Sequence, residues 1–340
     1  MFKPLLFAHS TRRRSTAAAL LLVAPFSVFS IFSAFAQSAT WPAEPITAVV
    51  PFSAGGSVDV AARILMPKLA ERLKQTVVIE NTVGASGTIA TQRVIRARAD
   101  GYTMLFGVAS PVSVAPLVSP NIYRYDALKE LTPVVPVAAS PFVLVGRPDL
   151  PARTAADLVK LIHSQPGKLN FGTDGIGTGL HVTAEMIKQQ GALDMVHVPY
   201  KSGPQVLTEL AGGQIDLAVL PVALVQAFVR DGKVRAYGVT SRQRWATLPD
   251  VPSLAETAEF KTLDVESWQG LLVPAKTDPA IVERLAREMT AVLADPVTVR
   301  RLADAGFKPM TMTPAQFATY LADERRDLAR IVAAAGIKVD

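Results

Sequence analysis

Two segments of the chain carry the residue types from which a binding site could be built. Residues 46–57, ITAVVPFSAGGS, and residues 169–180, LNFGTDGIGTGL, share one order: an apolar run, a glycine-rich turn, a hydroxyl residue and a helix start. In the first, Ser53, Ala54, Gly55 and Gly56 lead to Ser57, expected as the helix N-cap. In the second, Thr178 holds the corresponding place. Glycine lets backbone approach a ligand closely, and the unpaired amides of a helix start attract anions. The chemistry offered is anion binding; the alternative for either segment is an ordinary tight turn. Lys and Arg are absent from 51–59, 81–92, 107–123 and 172–187. An anion in these loops is met by amides, hydroxyls and water. That suits a carboxylate better than a polyphosphate, for which basic side chains are expected.

Catalytic and cofactor chemistry is not indicated. The chain has no cysteine, which excludes disulfides, thiolate metal sites and a cysteine nucleophile. It has no G-x-S-x-G elbow, no H-E-x-x-H pair and no P-loop. GIGTG at 175–179 has the wrong glycine spacing for a dinucleotide fingerprint, so no cofactor is expected. His163 falls at a polar helix end, and His197 alternates with Val196 and Val198 in a strand. His181 opens a helix beside the 172–180 loop, where it either lines a cleft or makes a structural hydrogen bond. Asp59 lies in the first turn of its helix, where a carboxylate favours the helix dipole. Its first expected role is support of its loop, its second a ligand contact. No catalytic residue and no metal site is expected.

The elements that position these loops alternate. ITAVVPF, TVVIE and YTMLFG are expected strands, as are KLNFGT, MVHVPY, IDLAVL and RAYGVT, with helix-length segments between them. Such alternation predicts an α/β fold with mainly parallel sheets. Two long extended runs, 134–148 and 265–275, bracket the second βα series, and only helices are expected after them, at 278–294, about 297–305 and 314–335. A domain entered and left by two strands suits a hinge of two crossing strands. The expected division is 37–138 with 266–340 as domain 1 and 139–265 as domain 2. Before these, Arg12, Arg13 and Arg14 precede an apolar stretch ending in Ala34-Phe35-Ala36. This is the layout of a signal peptide over 1–36, cut after Ala36, and it predicts export to the periplasm. The 35 basic residues include Lys3 and those three arginines, leaving 31 against 29 acidic ones after the cut, a net of +2. No clustered basic patch follows, so nucleic acid is not an expected partner.

The ordered series WPAEPITAVVPFSAGGSVDVAARILMPKLAERL, FGTDGIGTGLHVTAEMI, VPYKSGPQVLTELAGGQIDL, DGKVRAYGVTSRQRWATLPDVPSLAE and SWQGLLVPAKTDPAIVERL resembles the Bug-type receptors of tripartite tricarboxylate transporters. The resemblance implies a two-domain periplasmic-binding-protein fold of the Venus-flytrap type, type II. It implies a non-enzymatic, monomeric receptor that captures a small di-, tri- or aromatic carboxylate and delivers it to a membrane permease of one large and one small subunit. Carried onto this chain, the cleft loops are Phe52, Ser53, Ala54, Gly55, Gly56 and Ser57; Ala85, Ser86 and Gly87; Val108, Ala109 and Ser110; and Thr173, Asp174, Gly177, Thr178 and Gly179, with His181 beside them. Ser53-Ala54 stands where many members carry two prolines, and Gly179-Leu180 where many carry two serines. Leu220 stands where an acid is frequent, which favours a plain acid with an apolar or aromatic body over an amino acid. A partner of a membrane sensor kinase and a small-carboxylate hydrolase or isomerase are the rival readings.

Overall fold

Prolines 133, 136 and 141 sit in one 16-residue strand, β4 (Leu131–Gly146), and they dictate how it is built. Proline cannot donate to a ladder, so it is tolerated where pairing is irregular. The register of β4 against its neighbour slips between Pro133 and Val135 and between Pro136 and Ala138. After Pro141 the strand leaves that neighbour and pairs with others from Phe142 onward. One strand thus serves two sheets.

The computed structural model describes residues 41–334, Gly336 and Ile337. The expected signal segment and its cut lie outside the described residues. In chain order the first elements are β1 (Ile46–Val50), α1 (Ser57–Leu73), β2 (Val77–Asn81), α2 (Thr88–Ile95) and β3 (Thr103–Val108). Two short helices, α3 (Ala115–Val118) and α4 (Ala127–Glu130), lead into β4. Then come α5 (Ala155–Ser164), β5 (Asn170–Thr173), α6 (Gly179–Gln190), β6 (Val196–Pro199), α7 (Gly203–Ala211), β7 (Leu217–Pro221), α8 (Val222–Arg230) and β8 (Arg235–Val239). The chain ends with β9 (Glu266–Pro274), α9 (Pro279–Leu293), α10 (Pro296–Asp304), β10 (Lys308–Pro309) and α11 (Pro314–Ala334).

The strand order is β2-β1-β3-β9-β4-β7-β5-β6, with β8 and β10 also paired to β4. Pairing is parallel within β1, β2 and β3 and within β5, β6 and β7, as the alternation predicts. The pairings of β4 and β9 are antiparallel, so the whole sheet is mixed. The hydrophobic interior divides accordingly. One core draws on residues from Phe142 to Leu263, another on Ile46 to Ala138 together with Leu271 to Phe307. These are the two lobes of a type II binding-protein fold, and β4 and β9 are its crossing strands. In α1 the helical face of Val60, Ile64, Leu65, Leu69 and Leu73 packs on the core; Val60 is partly buried and the other four are buried. No helix among the described residues is long and apolar enough to cross a membrane.

Candidate functional site

The carboxyl ends of the parallel strands in each lobe point at one another, and a narrow cavity of about 50 Å³ lies between them. From the first lobe it is lined by Phe52, Ser53, Gly56, Ser57 and Val58, by Val108 and Ser110 at the end of β3, and by Ser267 on β9. From the second come Phe142, Asp174, Leu180, Gly203, Pro204, Pro221 and Leu224. Ligands in open α/β sheets bind at this edge because loops and helix starts converge there. The register places Val108 against Gln269 and Ser140 against Ser267, which brings β3 and the crossing strands to the cavity floor.

A wider opening of about 580 Å³ continues from it past Asp174. Gly84, Ala85, Ser86 and Gly87 form one wall, and Gly175, Ile176, Tyr200 and Lys201 the other. A second opening, of about 490 Å³, runs from Ala109, Ser110 and Gly179 toward α11. Hydrogen bonds cross the cleft beside these openings. The Ser86 hydroxyl donates to the Ile176 carbonyl at 2.7 Å, and the Gly179 amide donates to Ser110 Oγ at 2.8 Å.

The two glycine loops differ in what they leave free. In the first, the N-cap position is Gly56, in extended backbone, and no side chain caps the helix. Ser57 is already helical, which corrects its expected role as the cap. The first intrahelical bond runs from the Val60 amide to the Gly56 carbonyl, so the amides of Ser57, Val58 and Asp59 have no acceptor within the helix. Two of those residues line the cavity. Gly55 has φ +78, a conformation that glycine adopts without strain. The loop is tied down from behind by Asp59. Its carboxylate accepts from the Gly55 amide (2.9 Å), Arg63 Nε (2.8 Å) and Asn81 Nδ2 (3.0 Å), and Asn81 also reaches the Phe52 carbonyl (2.9 Å). Burial alone raises the pKa of Asp59, but these bonds outweigh it and hold the carboxyl below its usual range. The expected supporting role of Asp59 is the one its bonds describe.

In the second loop the helix start is already satisfied. Thr178 caps α6, as expected, accepting from the His181 amide at 3.2 Å and donating to the Gly175 carbonyl at 3.1 Å. The Gly177 amide donates to His181 Nδ1 at 3.1 Å, and the Gly179 amide is held by Ser110. Thr173 and Thr178 are fully buried, and Thr173 bonds His197 Nε2 at 2.7 Å. Thr173, Gly177, Thr178 and His181 therefore shape the loop from inside, and none of them lines the cavity. Ala54 and Gly55 face solvent beside the cavity. Ala109 and Gly179 line the second opening, and Ala85, Ser86 and Gly87 line the wider one.

His181 and His197 form a stacked pair, centroids 4.2 Å apart, with Phe171 beneath at 4.9 Å. Burial is the main cause that pushes both imidazoles down to about 4. The folded state thus binds fewer protons than the unfolded one between pH 6.5 and 4. Stability from this pair is complete above the unfolded value near 6.5 and is lost as pH falls toward 4. His197→Phe keeps the stacked ring and removes a titrating group. Thermal melts from pH 7 to 4 should show a smaller acid-induced fall for this variant than for the parent. Equal slopes would show that the pair does not titrate in this window. The variant-to-parent difference is the quantity to read, because burial of Glu324 pushes its carboxyl up to about 7 and acts in the opposite direction.

Several lining residues carry no signal in the glycine pattern. Lys201 lies in the loop after β6, Gly203 and Pro204 open α7, Pro221 ends β7, and Leu224 lies in the first turn of α8. They too lie at the carboxyl ends of parallel strands, where ligands of open α/β sheets bind. Phe142 and Ser267 lie within crossing strands, where sequence shows only apolar extended chain.

Residues 61–337 match the model of the family described as the tripartite tricarboxylate transporter family receptor. The chain belongs to this receptor family. Among similar solved structures is the periplasmic binding protein BugD, 31% identical, with a TM-score of 0.83 over 88% of this chain and 99% of that one. An R. palustris protein solved with adipate is 30% identical, TM-score 0.84, over the same shares. MatC from Rhodopseudomonas palustris, solved with bound malate, is 28% identical, TM-score 0.80, over 86% of this chain and 99% of that one. In the receptor, the cavity floor and the open start of α1 occupy the interlobe cleft of this fold.

Proposed function

We propose that the receptor captures a small organic carboxylate between its lobes, in the periplasm, and passes it to a membrane permease without chemical change. The lobes are assigned as residues 37–138 with 266–340 and residues 139–265. The observation that carries this reading is the unpaired helix start at Ser57 and Val58, opening into a cavity lined by Ser53, Ser57, Ser110 and Ser267 and by no Lys or Arg. Amides and hydroxyls at the positive end of a 17-residue helix bind one carboxylate well. The adipate and malate seen in its relatives support the same ligand class. Nucleophile and base are not paired in the lining, which supports a receptor over a hydrolase or isomerase.

A thermal-shift panel of di-, tri- and aromatic carboxylates on the refolded protein tests the reading. At a hundredfold excess over the dissociation constant, one-site linkage gives about 2.7 kcal/mol. For a chain of this length that is a rise on the order of 5 °C. The bound acid should be recovered unchanged. A panel in which no acid moves the midpoint removes the main support, and turnover of a tight binder would revive the enzyme reading.

A further inference from the structure

We propose that Asp174 makes this receptor prefer organic acids bearing an N–H or O–H donor on the end away from their carboxylate, over plain dicarboxylates. The inference rests on the receptor reading above and narrows its ligand class.

Asp174 follows β5 and stands where the narrow cavity meets the wider opening, so it borders both. In the lining of the narrow cavity it is the one ionisable side chain. Its Oδ1 is buried and has no hydrogen-bond partner. The hydroxyl of Thr178 lies close enough to favour the charged form of Asp174, but its hydrogen is donated to the Gly175 carbonyl, which leaves Oδ1 without a donor. A buried carboxylate oxygen without a partner is costly, and a ligand donor is the group that repairs it.

The rest of the site fixes the orientation. The open amides of α1 lie in the same cavity and draw the ligand carboxylate, which turns the other end of a short acid toward Asp174. A second carboxylate there meets an acid with no cation in the cavity to offset it. The ionisable groups facing Asp174 on its other side are Tyr123, Tyr200 and the exposed Lys201, all bordering the wider opening. Behind the loop lie His181 and His197, both held neutral by burial. Burial also pushes Asp174 up to about 6, so its charge changes within an accessible pH range.

The test is calorimetric titration of the purified protein with matched acids: succinate, 4-hydroxybutyrate and 4-aminobutyrate, and their six-carbon counterparts with adipate. Each is measured at pH 8 and pH 5 on the parent, Asp174→Asn and Asp174→Ser. At pH 8 the parent should bind the hydroxy or amino acid at least about tenfold more tightly than the dicarboxylate of equal length, the scale of one hydrogen bond to a charged group. Lowering the pH to 5 protonates Asp174, which should strengthen dicarboxylate binding and weaken amino-acid binding. Both variants should lose the preference and the pH dependence of amino-acid binding, and the pH dependence left for the dicarboxylates is that of their own second carboxyl. Thermal melts confirm that they fold, as Thr178 and Gly175 hold the loop without Asp174. A plain dicarboxylate that binds best at pH 8, with affinity unchanged in Asp174→Asn, overturns the inference and leaves the receptor reading standing. Failure of every acid, here and in the wider panel, overturns the receptor reading itself.

Discussion

Trp268→Ala is expected to lower the unfolding free energy by about 3–5 kcal/mol, the range for removing a large buried aromatic side chain. For a chain of this length that is a fall in Tm on the order of 8 °C. Trp268 lies in crossing strand β9 and is fully buried. Its ring meets Phe317 of α11 edge-on at 5.3 Å, and its Nε1 donates to Glu324 Oε1 at 2.7 Å. Ser113 donates to the other oxygen of Glu324 at 3.2 Å. The substitution opens a cavity and also strips a buried carboxyl of a donor. Trp268→Phe separates the two effects. It keeps most of the ring and loses the hydrogen bond, at a cost of about 1–3 kcal/mol. Because Ser267 lines the cavity next door, Trp268→Ala should weaken ligand binding as well. Denaturant unfolding measures the first effect and calorimetry the second. A loss below about 1 kcal/mol for Trp268→Ala would mean that α11 and β9 are held together by other contacts.

Asp59→Ala is expected to destabilise the protein by about 2–3 kcal/mol and to weaken carboxylate binding about tenfold. One carboxylate holds Gly55, Arg63 and Asn81, and Asn81 in turn holds the Phe52 carbonyl. Arg63 is about half exposed and regains water when its partner goes; the amide and Asn81 lose more. Asp59→Asn keeps an acceptor but loses the charge opposite Arg63, and should fall between the two. The pH dependence has a definite sign. The folded pKa lies below the unfolded value of 3.8, so this contribution is complete above that value and is lost as pH falls through the folded one. Full affinity in Asp59→Ala, with the protein folded, would show that the loop keeps its shape without this tether.

Much of the architecture was legible because its causes are local. The expected strand at YTMLFG is β3 at Thr103–Val108, and the expected helix at 278–294 is α9 at Pro279–Leu293. Both follow from hydrophobic period; the Asp278 cap, which accepts from the Ala280 amide, is seen in the structure. The two extended runs at 134–148 and 265–275 correspond to β4 and β9, and their length marked them before any partner was known. The glycine turn with hydroxyl before a helix also placed the cleft loops correctly as strand ends.

Tertiary structure alone decided which of those loops has amides to spare. Residues 46–57 and 169–180 look alike as sequence, because composition records donors and not their partners. In space, Ser110 from the other lobe and His181 from its own helix take the amides of Gly179 and Gly177, while those of Ser57 and Val58 stay open. The pairing of His181 with His197, the burial of Glu324 under Trp268 and the unpartnered oxygen of Asp174 arise in the same way. Each joins residues on separate elements, and the energy of a polar group depends on what faces it once water has left. Sequence by itself determined the elements, the strand-end loops and the absence of cations in them. Burial and contact across the chain determined which polar groups remain to meet a ligand.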